Sequence, residues 1–410
     1  MELLARKQNF EDLALMSSRG LQKNFRLIGH TDLNGHPNGG QVVVQRRGRR
    51  YYAFVGHIRG GVEGMGTSIV DVTSPGSPEV ISQIQPPVGM HSHKVRVCGN
   101  VMMVNNEHPH GFDPSISSEL GLRIFDIKDL SHPKELSFFP SPGTGPHRFR
   151  IDEEKHLAYL SAGVEGYERN IFRVVNFADP QNLYEVSRWW LPGQWTAGGE
   201  KPTWDPNKSI FWHHFSMIHE NRAYLAYWDA GFIILDISNL KKPQMISRAN
   251  YRPPYGGATH TALPIAREIR GRKWLIVFDE CLEPDLDPPD DSRMWVVDIT
   301  DETNPVSVAT FSVPESTGLR RPNARFGPHQ PYEDVTLKDD LIYATWFSGG
   351  LRVINLENPF NPLEVGYFVP ARKKGTRPVQ TNDVFIDDRR LIYLIDRWDR
   401  GLDIVEYTGN

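Results

Sequence analysis

Apolar residues recur along this chain in short alternating runs, each closed by an acidic or amide residue and a turn. The clearest is Gly121-Leu-Arg-Ile-Phe-Asp-Ile127, which leads through a Pro break into Ser131-His-Pro-Lys-Glu-Leu136. The phrase returns as Gly66-Thr-Ser-Ile-Val-Asp-Val72, Ile171-Phe-Arg-Val-Val-Asn-Phe177 and Gly231-Phe-Ile-Ile-Leu-Asp-Ile237. It returns again as Met294-Trp-Val-Val-Asp-Ile299, Gly350-Leu-Arg-Val-Ile-Asn-Leu356 and Gly401-Leu-Asp-Ile-Val-Glu-Tyr407. Period-two alternation bounded by turn residues predicts antiparallel strands. The seven copies recur about every 50 to 60 residues, which signals stacked units or propeller blades.

Each unit also carries an opening strand after the Pro, a strand starting near a polar or His residue, and a strand rich in Tyr, Leu and Val. Four strands in each of seven units predict an all-β, seven-bladed β-propeller, an architecture that protects its sheet edges by radial repetition. The ends fit closure of a ring. Phe25-Arg-Leu-Ile-Gly29 looks like the opening strand Leu363-Glu-Val-Gly-Tyr367, and the last signature strand ends at Glu406-Tyr407. First and last pieces are therefore expected to share one blade. Residues 1–24 read as a weakly amphipathic N-terminal extension, and 25–410 as the propeller.

Composition narrows the function. The formal net charge of -4 over 410 residues offers no basic stripe, so neither nucleic acid nor a membrane surface is an expected partner. Two cysteines, Cys98 and Cys281, form neither a disulfide framework nor a CxxC knuckle, and suit a reducing compartment. The first residues lack the apolar core of a secretory signal, and no apolar run reaches the eighteen or so residues of a membrane span. A cytoplasmic protein is expected. There is no P-loop, no GxGxxG after a strand and no GxSxG elbow.

Aligning the units on their innermost strands brings out one column at the expected channel mouth. Its occupants are Gln41, His93, His147, His214 (or its neighbour His213), His260, Glu333 with His329 close before it, and Asn382. His91 nearly duplicates His93. A single His at a strand start usually satisfies a carbonyl, but five blades choosing His at one position is not a scatter. Neutral imidazole is the commonest ligand for transition metals. His93, His147, His214, His260 and His329 are thus the candidate ligands of a divalent transition metal, with Fe favoured and Cu, Mn or Zn as alternatives.

Loops on the same face supply Glu107 and Glu280, which with Glu333 are candidates to orient imidazoles or move protons. Arg59 and Arg397 are candidates to bind an anionic substrate group, and Tyr255 and Trp346 to wall its pocket. The Asp residues closing the signature strands recur in most blades and read as turn residues.

The phrases Ile-Val-Asp-Val, Ile-Leu-Asp-Ile and Val-Val-Asp-Ile, each followed by a Pro and a further strand, resemble the LVIVD repeat family of β-propellers. One His per blade is similar in layout to the carotenoid-cleaving dioxygenases, whose propeller holds non-haem iron on four His, and to the selenium-binding protein/methanethiol oxidase type. That likeness implies an O2-using, metal-dependent oxidoreductase acting on a small organic molecule. A Zn or Mn hydrolase or lyase is the alternative, and a non-catalytic interaction scaffold the third reading. Sequence leaves oligomeric state open.

Overall fold

The computed structural model describes residues 20–58, 65–108, 119–252, 254–282, 291–321 and 323–409. Seven four-stranded antiparallel sheets are arranged as the seven blades of a propeller. Blades one to five use consecutive strands, with innermost members Gly39–Arg47, Val95–Cys98, Arg148–Asp152, Phe215–His219 and Ala258–Ile269. Blade seven combines Thr381–Ile386, Leu391–Asp396 and Leu402–Tyr407 with Phe25–Thr31, whose register sets Phe25 opposite Tyr407 and Thr31 opposite Leu402. The expected closure is therefore present.

Blade six departs from the plan. Its outermost strand is Leu21–Lys23, paired with Leu363–Val369, so three residues of the expected extension belong to the propeller. Its inner segment is irregular and bridges Pro331 to Ala344 and Phe326 to Phe347 instead of forming a ladder.

The core lies between blades. Tyr159, Phe172 and Val174 of blade three pack with Leu225, Ile233 and Leu235 of blade four, and similar clusters fill the other junctions. Each such buried side chain contributes roughly 1.5–3 kcal/mol. The signature strands end as expected: Asp71, Asp126, Asn176, Asp236, Asp298 and Asn355 each accept, at Oδ1, the N–H two residues on. Among the described residues no helix is long and apolar enough to cross a membrane.

Candidate metal centre

The residue just before the regular ladder of each inner strand sits at the channel mouth. His147, His214 and His329 donate their backbone N–H to Ser161, Ala226 and Thr345 there. In blades five, seven and one a bulge inserts one residue at this point, so His260, Asn382 and Gly40 take the position. With His93, which precedes Lys94 in blade two, the column reads Gly40, His93, His147, His214, His260, His329, Asn382. Two expectations are corrected. Gln41 is displaced by one residue because of the bulge. Glu333 is displaced by four because the irregular segment of blade six brings His329 into the column.

The five column imidazoles follow one another around the channel. Ring centroids are 5.1 Å apart from His93 to His147, 4.9 Å to His214, 4.3 Å to His260 and 4.1 Å to His329. His91 adds a sixth ring 4.4 Å from His93. His213 points the other way, into blade three, with its ring 5.6 Å from Phe172 and 5.7 Å from Tyr227. That separates His214 as the site residue.

Hydrogen bonds at Nδ1 orient the rings. His214 Nδ1 donates to His260 O at 2.7 Å and His329 Nδ1 to Asn382 O at 2.6 Å, while Asn382 Nδ2 continues the chain to Gly40 O at 2.6 Å. His147 Nδ1 donates to Glu107 Oε1 at 2.8 Å. A proton on Nδ1 leaves Nε2 with a lone pair, the usual arrangement of a ligating histidine. His260 differs: Thr261 Oγ1 lies 2.8 Å from Nδ1, and Arg148 Nη1 lies 3.0 Å from Nε2. Burial foremost, then neighbouring positive groups, hold His93, His214, His260 and His329 well below the usual imidazole range, so they stay neutral.

The two carboxylates at this level have different company. Glu107 faces His147, His91 Nε2 at 3.3 Å and His93 Nδ1 at 3.4 Å, with Asn105 Nδ2 at 3.2 Å. Burial alone would raise its carboxyl, but His147 and His91 outweigh that and lower it to about 2. Glu280 is paired with Arg325 Nη1, and lies 3.7 Å from His329 Nε2 and 3.9 Å from His260 Nε2. Two three-residue groups have ligand atoms all within 4.8 Å of one another: His91, His93 and Glu107, and His214, His260 and Glu280. A cation at the second group would meet like charge on Arg325, which is already paired with Glu280.

Other expected residues fall elsewhere. Glu333 sits deeper in the channel, bound by Arg96 at 2.8 Å, Arg150 at 2.9 Å and Arg148 at 3.4 Å, so it is neither in the ring nor free to take a proton. A cavity of about 260 Å³ opens at that level, lined by Arg96, Arg150, Tyr332, Glu333 and Asp383. Beside it burial pushes the Lys94 ammonium down and the Asp383 carboxyl up. Trp346 is a core residue packed on Phe311, 1% exposed, and does not wall a pocket. Tyr255 lies on Trp295 beneath Arg293. Arg397 does approach the ring, 5.6 Å from the Phe347 ring that itself lies 4.6 Å from His329. Arg59 lies outside the described residues.

Sequence reading missed Arg148, Arg325, Asn105 and Phe347. Arg148 directly follows a column His and was visible as its neighbour; Asn105 lies in the second strand of blade two, and Arg325 and Phe347 come from segments outside regular strands whose reach only the fold sets. Trp228, 4.1 Å from His214, completes an aromatic edge with Trp212, 5.6 Å from His147.

Residues 217–250 match the LVIVD repeat. Similar solved structures include a protein from Lactobacillus plantarum, with a TM-score of 0.60 at 11% identity over 84% of this chain and 88% of that one. The periplasmic gluconolactonase PpgL of Pseudomonas aeruginosa aligns with a TM-score of 0.54 at 12% identity, covering 86% of this chain and 100% of its own. The computationally designed Ika8 protein gives 0.52 at 8%, covering 92% and 99%. Identities this low show the fold alone. No curated protein matches this chain.

Proposed function

We propose that the protein is a metal-dependent oxidoreductase whose ion is held by imidazoles of the channel-mouth ring and whose substrate is a small organic molecule. What carries the reading is the ring itself: imidazoles on successive blades, of which His147, His214 and His329 turn Nδ1 to an oxygen acceptor and make no hydrogen bond through Nε2 among the described residues. Such a set suits a divalent transition ion. Bound there, iron or copper would supply redox chemistry with O2.

The carboxylates favour oxidation over hydrolysis. A metal-assisted hydrolase needs a group able to accept a proton near neutrality. Glu107 is engaged by His147 and His91, while Glu280 and Glu333 are tied to arginines. They suit orientation and charge balance better than proton transfer. Trp212, Trp228 and Phe347 give the mouth an apolar edge for an organic substrate.

Elemental analysis of the purified protein, with an optical spectrum before and after reduction and exposure to air, tests this. Iron or copper near stoichiometry, reoxidised by air, is the expected result. Redox-inert zinc or manganese would favour a hydrolase or lyase. Metal-free protein would leave an interaction scaffold.

A further inference from the structure

We infer that the ring is divided into a cation half and an anion half: the ion seats beside Glu107, and the side of Glu280, Arg325 and Arg397 receives a carboxylate of the substrate. This rests on the metal reading above and specifies where in the ring each partner goes.

The division follows from what surrounds each carboxylate. Among the described residues Glu107 forms ion-pair contacts with imidazoles alone, those of His91, His93 and His147. An ion there gains a carboxylate and imidazole nitrogens without displacing a fixed cation. On the other side Glu280 is already neutralised by Arg325, and His260 Nε2 already faces Arg148 Nη1.

That side sets two guanidiniums against Glu280 and Asp396, and the Asp396 oxygens are already taken up by the backbone N–H groups of Gln380, Trp398 and Asp399. Arg325 and Arg397 both stand over the Phe347 ring, 5.7 and 5.6 Å from its centroid. Among the described residues the Arg397 guanidinium makes no hydrogen bond, and its Nη1 is buried without a partner. Burial, foremost, and the nearby Arg325 lower it to about 9. A part-buried guanidinium with an unpartnered nitrogen, beside a paired one, has room for a further anionic group, and its planar fork matches a carboxylate. Phe347 offers an apolar wall next to that position, so an aromatic or otherwise apolar carboxylic acid is the class of substrate.

Cobalt(II) titration of metal-stripped protein, followed by its visible spectrum, and then benzoate titration of the cobalt-loaded protein, tests the division. Glu107→Gln should weaken cobalt binding by about tenfold or more, and His91→Gln should weaken it too should the first variant misfold. Glu280→Gln should keep cobalt and bind benzoate several-fold more tightly, because it frees Arg325. Arg397→Gln should keep cobalt and lose about tenfold in benzoate affinity. Equal loss of cobalt in the Glu107 and Glu280 variants overturns the division, as does benzoate binding that is indifferent to Arg397 or matched by phosphate and chloride. Failure of the unaltered protein to bind cobalt overturns the metal reading itself.

Discussion

At the scale of single residues, the turn caps are the most repetitive feature and the easiest to test. Asp126 Oδ1 accepts the Lys128 N–H at 2.8 Å, and the same bond closes the signature strand of five other blades. Asn176 and Asn355 do the work of Asp in two of them, so geometry matters here more than charge. Asp126→Ala should therefore destabilise by about 1 kcal/mol, whereas Asp126→Asn stays within a few tenths, as read from denaturant unfolding midpoints. Equal losses in both would mean that the carboxylate charge is what counts. These caps were legible because one residue type kept one place in the repeat. The partners of Glu107 and Glu280 were not, since no local pattern tells a carboxylate which loop will reach it.

At the scale of strands, the turn into the signature strand leaves no room for a side chain. Gly231 has φ +83° and a Cβ there would come 2.1 Å from Ala249 O, the carbonyl of the neighbouring strand. Gly231→Ala combines a disfavoured backbone with a backbone clash, and should destabilise by about 2 kcal/mol or more. A change below half of that would show that the outer strand can yield. The inner strands show where pattern reading slips. An extra residue at the bulges of blades one, five and seven moves the column by one place, which replaced Gln41 by Gly40 while leaving His260 and Asn382 in place. In blade six the missing ladder concealed that His329, not Glu333, completes the series. The seven-fold layout survived these local errors because the signature strands fix the register independently.

At the scale of the whole molecule, the ring is held shut by residues far apart in sequence. Leu21–Lys23 and Phe25–Thr31 add the outermost strands to blades six and seven, and Gln83 Nε2 of blade one reaches Leu33 O at 3.0 Å. A chain starting at residue 32 should lose about 10 °C or more in Tm, and a synthetic peptide of residues 20–32 should restore it. Unchanged melting of the truncated chain would show that the blades cohere without the clasp.

That clasp also orders events during synthesis. The strands that close the disc leave the ribosome more than 300 residues ahead of their partners in Leu363–Val369 and Leu402–Tyr407. His329 needs the Asn382 carbonyl of the final blade to fix its ring. A chain that has not yet reached Asn382 therefore lacks the bond that orients His329, and the ring of imidazoles is complete only once the seventh blade has formed.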